Sequence, residues 1–328
     1  MGLFPRQASA SVAVQGHSMK PNAAALIRAL GRGQSAESLG LVRTEEDLVD
    51  LRGARIPQMK VATGIPEREV FESLILKDID LSKAALRDGV WQDCRLERVR
   101  FDGARLLGTS LRSGLITESS FRGASLRDTH WGLKTRPGPD VAGTDFSEAD
   151  LRESTFDFPL FRDCRFSRTE LRRVDFFGAR FEGCVFEGLL DEVLFHGRWP
   201  WPEDPEVRDL RNPMTDVDFS RAELRWVEFD MGIDLSSCRL PTDGYLRVPR
   251  PRATYTSALR RIEREWTGSA RTAGAFFLEN ILKHHPEEQP FTILRPRDLI
   301  ESLMGHEVGG KLVDVIHEAS REGVGVDL

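Results

Sequence analysis

The side chains most able to do chemistry are histidines and cysteines, and the spacing of the histidines argues against a metal or catalytic centre. The segment His-Glu-Val-Gly-Gly at 306–310 begins like a zinc-protease helix but lacks the second histidine four residues after the first. His284 and His285 are adjacent, and adjacent residues of a helix point to different faces. We therefore assign no metal ligand and no catalytic or cofactor-binding residue.

The chain has no other motif typical of catalysis or nucleotide binding. It contains no GxxxxGK[ST] phosphate loop, no GxGxxG dinucleotide fingerprint after a strand and no GxSxG nucleophile elbow. Its four cysteines show no CxxC spacing for zinc or redox work. These features predict a protein that is not an enzyme and that needs no cofactor.

The elements that would position any functional residue follow a five-residue period. The first run of bulky apolar residues is Phe71, Leu76, Leu81, Leu86, Trp91, Leu96, Phe101, Leu106, Leu111, Ile116, Phe121, Leu126 and Trp131. The second run is Phe146, Leu151, Phe156, Phe161, Phe166, Leu171, Phe176, Phe181 and Phe186, and the third is Phe219, Leu224 and Phe229. The position two residues earlier is mostly small and holds the cysteines Cys94, Cys164, Cys184 and Cys238. A thiol there is expected to act as a small buried hydrophobe.

A period of five fits neither an α-helix nor a plain strand. Residues i and i−2 of an extended segment point to one face, so each unit sends two side chains inward before the chain turns. With four units in each turn of the chain, residues four units apart stack, and Trp91 is expected over Phe71. The predicted aromatic ladder consists of Phe71, Trp91, Phe101, Phe121, Trp131, Phe146, Phe156, Phe166, Phe176, Phe186, Phe219 and Phe229.

The units Gly-Ala-Arg-Leu (103–106), Gly-Ala-Ser-Leu (123–126), Glu-Ala-Asp-Leu (148–151) and Gly-Ala-Arg-Phe (178–181) resemble those of the pentapeptide-repeat family. The resemblance covers residues 46–247. It implies an all-β solenoid that winds as a right-handed, quadrilateral β-helix. Family members include proteins that protect DNA gyrase and confer resistance to quinolones, so the resemblance implies a protein partner such as DNA gyrase or topoisomerase IV.

Two proline-rich segments interrupt the repeat, at 132–143 and 196–215. Proline cannot donate to a β-ladder, so we predict loops that project from the wall of the solenoid. Loops often carry function, and exposed tryptophans are typical anchors of protein interfaces. The predicted partner-binding residues are Arg136, Pro137, Asp140, Trp199, Trp201, Glu203 and Asp204. The alternative is that both segments are tolerated insertions that fold back on the coil.

The chain differs in character on either side of the repeat. Residues 1–45 are rich in alanine, glycine and serine and predict a partly disordered tail with a short helix over 22–30. Residues 250–328 contain apolar residues at helical spacing, such as Leu259, Ile262 and Trp266, and predict a small domain of four helices. We expect these helices to cap the last coil, with a homodimer contact as a further role.

Composition limits the possible partners. The net charge of −6 and the absence of a basic stripe argue against direct nucleic-acid binding. No apolar run approaches the roughly 18 residues of a membrane span, which favours a cytoplasmic protein without membrane contact. Residues 71–131 contain 10 basic and 9 acidic residues, whereas residues 144–191 contain 7 and 11. The later coils therefore become acidic enough to suggest partial imitation of DNA.

The leading hypothesis is a non-enzymatic protein that binds a type II topoisomerase, chiefly DNA gyrase. It would protect that enzyme from a drug or toxin, partly through DNA-like shape and charge, and would thereby confer antibiotic resistance. The alternative is a scaffold or adaptor solenoid that holds another protein and has no topoisomerase role.

Overall fold

Short parallel strands stack into coils over most of the chain. The structure, a computed structural model, describes residues 22–56, 68–134, 137–198, 205–285, 289–302 and 305–322. One sheet contains Val49–Asp50, Ile75–Asp80, Cys94–Arg100, Gly114–Thr117, Asp140–Ala142, Leu160–Arg162 and Arg180–Glu182. A second contains Val70–Glu72, Val90–Gln92, Ser110–Leu111, His130–Gly132 and Thr155–Asp157. Two further sheets contain Arg165–Ser167, Val185–Asp191 and Asp218–Arg225, and Asp175–Phe176, Leu194–His196 and Glu228–Asp230. The predicted solenoid of parallel β coils is confirmed.

Each five-residue unit turns at the position two residues after its bulky centre. In most units that residue has a left-handed φ, as at Gly103 (62°), Asp128 (56°) and Arg168 (53°). Glycine adopts this conformation without a steric penalty, and the other residue types there are mostly polar. The residue before the centre is often an aspartate that caps the turn; Asp145 Oδ1 accepts a hydrogen bond from Ser147 N at 2.8 Å. These local bonds explain why polar residues separate the apolar positions.

The bulky centres form a continuous ladder inside the solenoid. Phe71 lies in register with Trp91, and their ring centroids are 4.3 Å apart. The rings of Phe101 and Phe121 stack at 4.8 Å with an interplanar angle of 4°. All twelve predicted ladder residues are buried. Aromatic side chains bury large areas, so the ladder supplies extensive apolar contact between neighbouring coils.

The first interruption lengthens one coil by a single unit. His130 pairs with Thr155, 25 residues away, whereas uninterrupted coils pair residues 20 apart, as the ion pair of Lys77 and Glu97 shows. Val141 is fully buried in the strand Asp140–Ala142, and the strand His130–Gly132 precedes the interruption. The predicted loop at 132–143 is therefore too long at both ends, because core packing holds its first and last residues in the coil.

The second interruption follows a slip of the repeat frame by one residue. Phe176 pairs with Phe195, which is fully buried and was not assigned to the ladder. His196 ends the same strand, and Thr215 forms a parallel bridge with Glu182. Both predicted boundaries of the second loop, 196 and 215, therefore lie inside the coil. The slip places the inward-facing residue at 195, where an unbroken five-residue frame would place it at 196.

A short helix covers the first coil. The helix Ala23–Gly31 begins after Asn22, whose side-chain oxygen accepts a hydrogen bond from Ala24 N at 3.0 Å. Ile27 is fully buried in the solenoid core, and a Cβ on Gly31 would lie 2.7 Å from Leu74 Cβ. A 3₁₀ helix, Glu37–Leu39, follows. The described part of the predicted tail is therefore a packed cap, and residues 1–21 lie outside the described residues.

The C-terminal part has its own apolar core and lies on the last coil. Its helices are Pro251–Glu265, Gly268–His284, Pro296–Ile300 and His306–Glu322, and the strand Leu246–Pro249 pairs antiparallel with Phe291–Leu294. Asp298 Oδ2 accepts a hydrogen bond from Trp226 N at 2.7 Å, and Arg295 pairs with Glu223 at 2.6 Å. Phe291 joins the solenoid core itself. Within the described ranges, no helix has both the length and the apolar character needed to cross a membrane.

Candidate partner-binding site

Phe158 lies on the side of the solenoid where both interruptions meet the coil. Phe158 occupies the turn position that is usually polar or glycine, with a φ of 57°, a conformation that is costly for a bulky residue. Its side chain is nevertheless only 1% exposed. A Cβ on Gly178, in the next coil, would lie 2.7 Å from the Phe158 ring. Phe158 is therefore an aromatic turn residue that neighbouring segments cover.

The first insert lies directly against Phe158. Gly138 N donates a hydrogen bond to Phe158 O at 3.0 Å, and Leu160 N donates to Pro139 O at 3.0 Å. A Cβ on Gly138 would lie 2.6 Å from Asp157 O, so glycine is needed for this close approach. Burial raises the pKa of the neighbouring Asp157 carboxyl. The end of the first insert is thus fixed to the wall by backbone hydrogen bonds.

The second insert is held to the coil by an asparagine. Asn212 Oδ1 accepts hydrogen bonds from Phe181 N at 3.1 Å and from Met214 N at 3.2 Å. Asn212 N donates to Gly197 O at 2.8 Å. The Asn212 side chain thus replaces the strand partner that the insert interrupts. The coil keeps its backbone hydrogen bonds at the point where the insert departs from the solenoid.

The described end of the second insert also covers Phe158. The short helix Pro205–Arg208 buries Val207 to 1% exposure. Leu210, Arg211 and Asn212 line one small cleft together with Phe158. The described ends of both inserts therefore meet at Phe158, the first through a hydrogen bond to its backbone and the second along the cleft that Phe158 lines. We define the insert surface as residues 137–139, Phe158 and residues 205–212.

The predicted partner-binding residues fall into three groups. Pro137 is exposed and belongs to the insert surface. Asp140 lies in a strand, and its carboxylate accepts a hydrogen bond from Arg162 Nη2 at 2.6 Å, so it is part of the coil wall. The remaining predicted residues lie outside the described residues: Arg136, Trp199, Trp201, Glu203 and Asp204.

The acidic residues of the later coils are largely paired with basic residues. Arg168 donates to Glu148 at 2.5 Å, across neighbouring coils, and this hydrogen bond lowers the pKa of Glu148. Of the 11 acidic residues in 144–191, seven have an ion-pair partner: Asp145, Glu148, Asp150, Glu153, Asp175, Glu187 and Asp191. The wall therefore presents alternating positive and negative charges. The basic partners offset much of the excess of carboxylates, so these coils present little continuous negative surface.

The comparisons with known proteins agree with this architecture. The family model "Pentapeptide repeats" matches eight copies in the chain, at residues 79–114 and 149–188. The chain is a pentapeptide-repeat protein. No curated protein matches the chain significantly.

Two solved structures illustrate what the repeat protein resembles. QnrB1, a plasmid-mediated fluoroquinolone resistance protein, is 19% identical, with 55% of this chain and 77% of that chain covered and a TM-score of 0.30. HetL, a pentapeptide repeat protein involved in heterocyst differentiation regulation in the cyanobacterium Nostoc, is 15% identical, with 58% and 82% covered and a TM-score of 0.24.

Two features of the site were not assigned from the sequence of the repeat protein. Phe158 breaks the polar pattern of the turn positions, and that break was the signal that could have revealed it. Phe195 lies one residue out of phase with Phe186, so a strict five-residue frame passes over it. Phe195 could have been found by allowing a slip of one residue in the repeat frame before the second insert.

A buried histidine joins two acids on the last coils. His196 is 4% exposed, with Nδ1 2.5 Å from Asp230 Oδ1 and Nε2 2.9 Å from Asp175 Oδ1. Burial lowers the pKa of His196, but the two carboxylates outweigh burial and raise that pKa to about 10. Among the described residues, one group could hold a metal ion, and it consists of Glu228, Asp230 and His284.

Proposed function

We propose that this repeat protein is a non-enzymatic binding protein whose partner docks on the insert surface. The observation that carries the proposal is that both interruptions of the coil, distant in sequence, converge on Phe158. A solenoid wall without inserts is a regular array of short units, whereas the insert surface is the irregular region where specific contacts can be made.

The thiols of the repeat protein support binding over covalent chemistry. Burial raises the pKa of the Cys94 thiol, and it raises that of Cys238 to about 12. A reactive cysteine needs a low pKa because the thiolate is the nucleophile. These thiols therefore serve as small core residues and not as nucleophiles.

The partner that we propose is a type II topoisomerase, DNA gyrase or topoisomerase IV, protected from a drug or toxin in the cytoplasm. The support is membership of the pentapeptide-repeat family together with the two inserts. A right-handed, quadrilateral β-helix belongs to this proposal, and four ladder positions in each uninterrupted coil are consistent with it. Because arginines neutralise much of the acidic wall, we assign recognition to the inserts more than to imitation of DNA charge.

Supercoiling by purified gyrase, with and without a cleavage-stabilising inhibitor, tests the proposal. We expect near-stoichiometric repeat protein to restore supercoiling in the presence of the inhibitor. The double variant Trp199→Ala/Trp201→Ala changes two predicted partner-binding residues of the second insert, which precede residues 205–212 of the insert surface in the sequence. It should weaken binding by about 2 kcal/mol or more, roughly 30-fold in Kd, because tryptophans are typical hot spots of protein interfaces. The matched control is Ile75→Ala, which removes an apolar side chain that is 59% exposed on an early coil.

Two results would count against parts of this proposal. Unchanged supercoiling at every concentration would count against topoisomerase protection, whereas a double variant that protects as well as the control would count against recognition through the second insert. The first result would favour the scaffold or adaptor role, for which the exposed Phe276 on the helix Gly268–His284, 69% exposed, is a candidate contact. A homodimer through the C-terminal helices is part of that second proposal, and light scattering of the full chain over a range of concentrations tests it.

A further inference from the structure

We propose that Glu228, Asp230 and His284 bind a divalent transition-metal ion, for which Zn²⁺ is the best match. One ligand atom from each of the three side chains lies within 4.8 Å of the other two. Carboxylate oxygens and an imidazole nitrogen are the ligands with which proteins bind zinc outside cysteine sites. Three protein ligands leave a fourth position open for water or for a group from a partner.

The fold itself brings the three ligands together. Glu228 and Asp230 are two residues apart in the strand Glu228–Asp230, so both side chains lie on the outer face while Phe229 points into the core. His284 ends the helix Gly268–His284, and its backbone oxygen accepts a hydrogen bond from Met231 N at 3.2 Å. The last turn of the helix is therefore fixed beside the end of the strand.

An unsatisfied buried oxygen points to a ligand at this place. Asp230 is fully buried, and its Oδ1 is engaged by His196. Its Oδ2 is buried and accepts no hydrogen bond of ordinary geometry from the described residues, so its contact there is a long ion pair with His284; a buried carboxylate oxygen satisfied only in this way costs free energy. His284 Nδ1 lies 3.5 Å from this oxygen. Two ligands of a tetrahedral zinc ion, each at 2.0–2.1 Å, are about 3.3 Å apart, so the observed spacing suits an ion between the two atoms.

The site has both an outer partner and a route from solvent. His196 holds Asp230 through the oxygen that faces away from His284, as outer-shell partners of metal ligands commonly do. Glu228 is exposed and lines an open cleft of about 490 Å³ together with Leu194 and Trp226. Of the three proposed ligands, Glu228 is the one that lines this cleft, and its exposed side chain can rotate to complete the set of ligands around the buried Asp230.

Zinc titration of the full chain, purified without a histidine tag and stripped with a chelator, tests the site. We expect one Zn²⁺ per chain in a competition assay with a chromophoric chelator. Loss of an outer partner already costs metal sites about 10- to 100-fold in affinity, so His284→Ala and Glu228→Gln should each cost at least about tenfold. Both side chains are partly exposed, so both variants should fold. The matched control is His317→Ala, an exposed histidine on the helix His306–Glu322.

Replacement of Zn²⁺ by Co²⁺ adds a spectroscopic readout. A visible d–d spectrum that appears with the wild-type chain and with His317→Ala, but not with His284→Ala, would support coordination by His284. Equal zinc affinity and stoichiometry in wild-type protein and His284→Ala would overturn the proposal, and so would a wild-type chain that binds no zinc in the titration. Either overturning result would leave the insert surface and its proposed partner unaffected, because the two sites share no residue.

Discussion

Truncation of Phe195 tests both the one-residue slip and the ladder on which the solenoid depends. The Phe195 ring is fully buried between two stacked neighbours, Phe176 with centroids 5.2 Å apart and Phe229 with centroids 5.3 Å apart. Replacement of a buried phenylalanine by alanine costs about 3–5 kcal/mol, from lost transfer free energy and the cavity left behind. Because both stacked contacts are lost at once, we expect Phe195→Ala to fall in the upper half of that range.

Urea denaturation followed by far-UV circular dichroism measures this loss. Each coil is stabilised mainly by its neighbours, so we expect a new early transition from the last coils while the first coils unfold near the wild-type midpoint. Hydrogen exchange should show lost protection in the strands Asp175–Phe176 and Glu228–Asp230, with the strand Val90–Gln92 unchanged.

The matched control is Phe276→Ala, since that phenylalanine is 69% exposed and its truncation should change stability by less than about 0.5 kcal/mol. A loss below about 1 kcal/mol for Phe195→Ala, or a loss equal to that of the control, would refute the reasoning. Phe195 would then not be a ladder residue, and the slipped frame would be wrong.

Two further predictions concern the ends of the solenoid and its charged wall. Asp298→Ala should cost about 2 kcal/mol in docking of the C-terminal part, because Trp226 N loses its acceptor while the largely buried Arg295 keeps Glu223 as a partner. Limited proteolysis should show earlier cleavage, and unchanged cleavage would contradict this. Burial raises the pKa of Asp218, but hydrogen bonds from Ser220 and Arg239 lower it to about 2. Its stabilising contribution is therefore present above about pH 4 and lost towards pH 2. Asp218→Asn should flatten that part of the curve of unfolding free energy against pH. An unchanged curve would argue against the ion pair with Arg239.

Much of the fold could be predicted because the repeat is a local pattern. Each unit carries its own inward residues and its own turn, so Phe101 and Phe121 were assigned to one ladder without any long-range information. The slip before Phe195 was not predicted, because a shift of one residue leaves the composition unchanged and alters only the register. The end of the first insert was missed for a different reason: Val141 stands in the five-residue frame and is a core residue, but it lacks the bulk of its neighbours in the ladder.

The candidate sites were less accessible to prediction. The proline-rich composition indicated two inserts, but it could not indicate that both would cover Phe158, because that meeting depends on which coils lie side by side. His284 was judged only against His285, its neighbour in sequence, and so no metal site was assigned. Its contact with Asp230 arises because the C-terminal part packs on the end of the solenoid.

The sequence by itself determined the solenoid, its aromatic ladder and the presence of helices after the repeat. Those features follow from periodicities of five and of 3.6 residues, which are set by local backbone geometry. The tertiary structure alone decided the insert surface and the group of Glu228, Asp230 and His284. The residues of each site come together because coils stack and a helix docks on the last coil. Phe158 and Asp230 are buried by segments distant in sequence, so a local sequence pattern does not predict their environment.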